Sequence, residues 1–176
     1  MKFFKMDLRA LAAVIVGIFI LVFLNWNIFQ KERIIKQGRT VLLQLAPVDP
    51  RSLMQGDYMA LRFALADEVR YAVHDEPVKE GIVILKLDEN NVAHFERIYD
   101  EHSPLQRDEV RLKYRVLDDR GTVEIGTNAF FFEEGQGEIY ESARYGEFRI
   151  ADTGEATLTQ LLDEKFKALG RSAVLN

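Results

Sequence analysis

The hydrophobic pattern changes character once along the chain, near residue 30. From Ala10 to Leu24 it runs ALAAVIVGIFILVFL without a charge. With Leu8 in front and Asn25-Trp26-Asn27-Ile28-Phe29 behind, the apolar stretch reaches about 20 residues, the length that crosses a bilayer core. Trp26 and Phe29 suit the interface at one end, and Arg9 can snorkel out at the other. A cleavable signal peptide has the same basic start and apolar middle, but it needs a small-x-small site after the run. NWNIFQKERII offers none. The pattern therefore predicts an uncleaved transmembrane anchor over 10–29, preceded by a short tail at 1–9. Residues 30–39, QKERIIKQGR, read as a polar stalk, partly helical and ending at Gly38.

Beyond the stalk, helix-length periodicity is scarce and period-2 alternation is common. Thr40 to Leu45 predicts one strand, and Asp57 to Phe63 alternates towards another. GIVILKL (81–87) and VAHFERIY (92–99) flank Asp88-Glu89-Asn90-Asn91, a hairpin with turn-forming residues at its tip. VRLKYRVL (110–117) and TVEIG (122–126) repeat the arrangement around Asp118-Asp119-Arg120-Gly121. TLTQLL (157–162), Asp163-Glu164 and KFKALG suggest a third copy, although 155–169 also fits a short amphipathic helix. The four prolines sit between strand candidates, where a β-fold tolerates them. The expected fold over 40–176 is mainly β, an antiparallel, barrel-like domain built of hairpins. Phe130, Phe131 and Phe132 are consecutive, so both faces of that segment need cover. This predicts a central strand or one lying under a partner.

Charge sharpens the division. Residues 1–39 carry a formal +5, while 40–176 carry −10. An acidic body does not suit nucleic acid, because phosphate contacts need clustered Lys and Arg. The basic residues instead flank the apolar run, where lipid headgroups lie. Lys2, Lys5 and Arg9 precede the span and Lys31, Arg33, Lys36 and Arg39 follow it, so the positive-inside rule nearly cancels. With only a short N-terminal tail, a signal-anchor that exports the large domain is the expected topology. The chain has no cysteine, which excludes disulfides, thiolate catalysis and sulfur-ligated metals.

The stretch PVDPRSLMQGDYMALRF (47–63) carries the densest local constraints. Pro50 holds Asp49 extended, Gly56 suits a left-handed or closely approached backbone, and Asp57 can accept backbone N–H groups across that turn. Read on its residues alone, the stretch is a structural connector, with Arg51 offering an ion pair. Gly56-Asp57-Tyr58-Met59-Ala60-Leu61-Arg62-Phe63 also resembles the signature of the GDYXXLXY family. Pro47-Val48-Asp49-Pro50-Arg51 is similar to its lead-in, and Phe63 stands where the signature has Tyr. FFFEEGQGEIYESARYGEFRI (130–150) is similar to the family's aromatic-Glu-Gly-x-Gly-x-x-Glu segment. The resemblance implies a bacterial, membrane-anchored protein, often encoded beside polytopic membrane proteins, and no established activity. It marks Asp49, Pro50, Arg51, Gly56, Asp57, Tyr58 and Leu61 as motif residues, with Glu133, Glu134, Gly135, Gly137 and Glu141 in the second segment.

Three chemical readings compete with a purely structural one. The acid-rich run Glu133 to Glu138, with Glu141 beyond, supplies oxygen ligands on a glycine-bearing loop, yet its spacing matches no EF-hand. Its structural alternative is a turn into a short helix, with Glu133 and Glu134 near the N-terminus and Glu141 pairing with Arg144. Ser52 lies four residues before Gly56-Asp57, similar to the layout of signal-peptidase-like serine proteases. However, Ser52-Leu53-Met54 is not Ser-Met-x-Pro, and Glu96 precedes Arg97 where the base lysine is expected. His74, His94 and His102, with Glu96 or Asp100, lack metal-ligand spacing. The expectation is a non-catalytic, periplasm-facing domain without a cofactor or metal that docks with a polytopic membrane protein. A serine hydrolase, or its inactive relative, built on the Ser52 loop is the alternative.

Overall fold

A computed structural model describes residues 8–46, 54–55, 58–74, 79–118 and 121–170, and divides the chain into two compact units, Met1–Arg33 and Ile34–Asn176. Helix α1 (Leu8–Gln37) continues straight through the segment expected to be a partly helical stalk. Its apolar side chains are exposed on every side, Phe19 at 72% and Trp26 at 63% among them. A helix that is hydrophobic all round needs an apolar surrounding. This one is long and apolar enough to cross a membrane, with a mean hydropathy of 2.4. The helix stops at Gly38, whose N–H bonds the Ile34 carbonyl at 2.8 Å.

The second unit is sheet-rich, in antiparallel sheets. Strands β1 (Arg39–Gln44), β9 (Tyr145–Ile150), β10 (Ala156–Leu162) and β11 (Ala168–Leu169) form one sheet in that order. A second sheet runs β2 (Met54–Gln55), β3 (Tyr58–Ala60), β8 (Ala129–Phe131). The third runs β5 (Ala93–Ile98), β4 (Glu80–Leu87), β6 (Glu109–Val116), β7 (Val123–Ile125). Isolated bridges at Leu42–Val92 and Leu45–Phe63 connect them. The barrel-like expectation is thus corrected in one respect. Among the described residues the strands form three short sheets with open edges, because none has enough paired strands to curl back on itself.

All three expected hairpins are present, and they share one device. The Asp88 carboxylate accepts the N–H of Val92 (2.9 Å), Asp118 that of Thr122 (3.0 Å), and Asp163 that of Lys167 (2.9 Å). Each tip therefore begins with an Asp that closes the loop on the residue four positions later. Gly121 takes the left-handed conformation at the second tip, φ 77°. The same Asp163 contacts favour a turn over a helix at 163–167 and let β10 pair with β11.

Two expectations change. The strand predicted over 57–63 ends at Ala60, and Ala64–Ala72 forms helix α2 instead. ALADEVRYA contains good helix formers and places Leu65 and Val69 on one buried face, with Val73 a turn later. Its apolar positions were too few to announce a helix by periodicity. Strand β8, expected to be central or to lie under a partner, lies at the edge of its sheet, and Phe131 is 74% exposed.

The third sheet contains a buried ion pair that the sequence did not announce. Pairing of β4 with β5 shifts register between Ile84–Arg97 and Leu85–Phe95, leaving Glu96 as the extra residue of a bulge. Arg97 beside it makes a bidentate contact with Glu109, 2.6 and 3.2 Å, and Glu109 also accepts the Gln106 N–H at 2.9 Å. The Glu109 side chain is 2% exposed. The Arg97 bonds, followed by the Gln106 N–H, hold its carboxyl below the usual carboxylate range. A lowered folded pKa contributes stability above the unfolded value of about 4.3, lost as pH falls through the folded value. Glu109→Gln should therefore cost about 1 kcal/mol at neutral pH, a figure reduced because Arg97 reaches solvent. Denaturant melts should show wild type and variant converging below about pH 4.

Candidate functional site

The two motifs that the sequence holds some 70 residues apart are hydrogen-bonded neighbours. Tyr58 pairs with Phe131, Met59 with Phe130 and Ala60 with Ala129, while Met54 and Gln55 of β2 pair with Met59 and Tyr58. Alternation then sorts the side chains by face. Met59 and Phe130 are buried at 4% and 9%. Tyr58 and Phe131 share the other face, their rings tilted at 39° with centroids 5.7 Å apart.

Past β3 the first motif turns into the core. Leu61 and Phe63 are buried, and the Phe63 ring meets Phe148 edge-on at 5.3 Å. Phe63 sits among apolar side chains, so the hydroxyl that a tyrosine would bring has no role to lose there. The second motif is anchored by Tyr140 at the end of the short helix α3 (Gly137–Tyr140). Phe130 meets Tyr140 edge-on at 5.0 Å, and Phe132 stacks on it at 5.3 Å. Burial, aided by Glu133, raises the Tyr140 phenol above its ordinary pKa.

The acidic loop follows the structural alternative. Glu133 accepts the Gln136 amide at 2.8 Å, Gly135 turns the chain at φ 78°, and Glu134, Glu138 and Glu141 face solvent. Gly137 opens α3. Arg144 does not pair with Glu141 as expected; it donates to the Ala143 carbonyl at 2.9 Å. No three His, Asp or Glu side chains converge among the described residues. His94 lies 3.9 Å from Asp88 at its own hairpin tip, and His102 lies 3.2 Å from Asp100. Asp49, Pro50, Arg51, Ser52, Gly56 and Asp57 lie outside the described residues.

A cleft of about 380 Å³ adjoins the buried end of the first motif. Leu61, Phe63 and Ala66 form one apolar side of its lining, with Val123 and Ile125 contributed by β7. Arg62 and Arg70 approach the same Asp67 oxygen, at 3.1 and 3.3 Å. Sequence reasoning missed this cluster because it depends on α2. The available signal was the Asp67–Arg70 spacing of three residues, which places both side chains on one helix face.

With the fold and both motifs placed, comparison with known families is decisive. The family model described as "GDYXXLXY protein" matches residues 20–161. The chain belongs to the GDYXXLXY family. No curated protein and no solved structure matches it. Family membership and the N-terminal apolar helix together fit a membrane-anchored protein. Within the GDYXXLXY signature, Leu61 and Phe63 build the core, and Tyr58 reaches the surface beside the second motif's Phe131.

That division is measurable on adjacent residues. Phe130→Ala should cost about 3 kcal/mol, since it empties a packed site against Tyr140. Phe131→Ala, at an exposed position, should change stability by less than about 0.5 kcal/mol. Denaturation of the detergent-solubilised chain, followed by circular dichroism, measures both.

Proposed function

We propose that this protein is a non-catalytic accessory subunit, anchored by α1 with its β-rich domain in the periplasm, that docks onto an integral membrane protein. The observation that carries this reading is the aromatic pair of half-buried Tyr58 and exposed Phe131. Two separate motifs meet to build it, and Phe131 leaves most of its ring in water. Burying an aromatic side chain of this kind contributes substantially to an interface, and such residues anchor binding hot spots. The anchor restricts the search for a partner to the membrane plane and raises its effective concentration.

Topology is tested directly because the chain has no cysteine. A single Glu164→Cys substitution, on the exposed third hairpin tip, should react with a membrane-impermeant maleimide in intact cells with a permeabilised outer membrane. Protection until the inner membrane is lysed would overturn periplasmic placement. For docking, a photocrosslinking amino acid at position 131 should capture a polytopic membrane protein. Capture should fall when Tyr58→Ala is added to a chain that still melts like wild type. Crosslinking only to lipid, or capture indifferent to Tyr58, would remove the basis for this surface.

A further inference from the structure

The chain passes from α1 into β1 with a single residue, Gly38, between them. Gly38 lies so close to β9 that a Cβ on it would come within 3.1 Å of the backbone N and O of Ile150. Ile34, one helical turn earlier, is buried. The last turn of α1 is thus fastened to the end of the β1–β9 pair. Register then sets two arginines on opposite faces of that end. Arg39 stands opposite Ile150 and Thr40 opposite Arg149, so alternation turns Arg39 to one face and Arg149 to the other. Arg39 donates through Nη1 to the carbonyls of Arg107 and Glu109, at 2.8 and 3.2 Å, which holds the loop carrying Arg107 beside it. Arg149 donates through Nη1 to the Gly38 carbonyl at 3.4 Å.

These three arginines form a collar around the exit of the helix. Arg39 and Arg149 bond only backbone carbonyls, and Arg107 is exposed with no side-chain bond, so none of the three is neutralised by a carboxylate among the described residues. The acids nearby are committed elsewhere. Glu109 pairs with Arg97, Asp108 lies 3.8 Å from Lys86, and Glu155 of the β9–β10 turn lies 3.2 Å from Lys113. In the same turn the Arg111 guanidinium bonds the Asp152 carbonyl, which sets a cation beside that acid. Glu147, two residues before Arg149, accepts from Thr159 and Gln160. Positive charge is therefore left over at this end, in a domain whose residues 40–176 carry −10. Each guanidinium keeps N–H groups with no protein acceptor, in the fork that matches two phosphate oxygens.

Position along the chain says which anion lies within reach. The apolar run ends at Phe29, and the helix from there to Gln37 rises about 12 Å. The headgroup layer of a bilayer is about 5–7 Å thick on each side. Lys31 and Arg33 fall within that layer, and Arg39, next after Gly38, follows just beyond it. An arginine side chain is long enough to close that gap. We propose that Arg39, Arg107 and Arg149 bind the phosphate groups of anionic phospholipids at the membrane surface through which α1 emerges. The collar gives an acidic domain, which an anionic surface otherwise repels, one end that the surface attracts. This rests on α1 as a membrane anchor and holds for either orientation of the chain. It does not depend on the Tyr58–Phe131 face.

The test uses the full chain in non-ionic detergent, titrated with phosphatidylglycerol or with phosphatidylcholine of the same acyl chains, and native mass spectrometry to read the lipid retained. Wild type should hold phosphatidylglycerol at least about 20-fold more tightly than phosphatidylcholine. Arg107→Gln removes no hydrogen bond or ion pair, so it should melt like wild type while lowering that preference about 3- to 5-fold. Arg149→Gln should lower it by a similar factor. Arg115→Gln removes the same charge at the far end of β6 and should leave the preference unchanged. Equal retention of the two lipids would overturn the proposal and leave the anchor itself untouched. A preference that survives both Arg107→Gln and Arg149→Gln would also overturn it, assigning the effect to the cations of α1. So would a preference lowered equally by Arg115→Gln, which would reduce it to net charge. Glycerol phosphate displacing the lipid at equal concentration would be a fourth refutation, making the collar a site for soluble anions.

Discussion

The second unit depends on how closely the backbone approaches one aromatic ring. Phe148, at the centre of β9, is completely buried, and it reaches that state because two neighbours lack side chains. A Cβ at Gly126 would lie 2.7 Å from the Phe148 ring, inside any tolerable contact. One at Gly146 would meet Leu158, Phe148 and Phe63 at 3.1 Å each. Gly126 also takes a φ of 64°, so its position after β7 needs glycine twice over. Through this ring β9 meets the end of β7 and the end of the GDY segment. A substitution at either glycine would push apart the elements that the ring joins, because a packed interior has little spare volume.

Seen from that ring, the GDYXXLXY signature has two tasks that its one-line form conceals. Its Leu61 and its final aromatic residue, Phe63, are held where the core closes, and Leu45 bridges to Phe63 to join the segment to the end of β1. Its Tyr58 is placed by strand alternation on the outer face. Ala60 lies between these tasks, and the Leu61 N–H bonds the Asn128 carbonyl just before β8 begins. The second motif is consequently held beside the first by backbone as well as by rings. The exit from α1 is similarly tied within this unit. Arg39 donates to the carbonyls of Arg107 and Glu109, so the carboxylate that meets Arg97 and the chain leaving the helix converge on one turn.

What could be read in the sequence follows from the range of the interactions. The anchor and the hairpins are local: an apolar run of bilayer length, and strands around tips whose Asp bonds four residues ahead. Even the stop at Gly38 was visible. Helix α2 was not, because one buried stripe of Leu65, Val69 and Val73 beside an alternating run looks like the continuation of a strand. The three phenylalanines were read as a segment needing cover on both faces; one face has it, but Phe131 on the other is largely exposed. Phe130 and Phe132 find Tyr140, ten and eight residues later, and Phe131 meets Tyr58. Arg97–Glu109 and the Arg62–Asp67–Arg70 cluster were hidden for a related reason: each charge looked like a solvated surface residue until the fold supplied its partner.

The open edges bear on what a membrane anchor does for this domain. Open sheet edges are hazards for a freely diffusing domain, since any extended chain can pair with them. At β7 the guard is helix α2, which packs against the strand while Ile125 is buried. The edge at β8 has another guard, the bulky Phe131–Tyr58 pair, which shields the strand while presenting apolar surface. An exposed ring is a weak binder alone, but at a membrane surface a partner in the same plane needs only a modest gain per contact to stay associated. The same aromatic pair in a dilute soluble domain would contribute little. In the proposed docking its contribution would rise with the long apolar helix earlier in the chain.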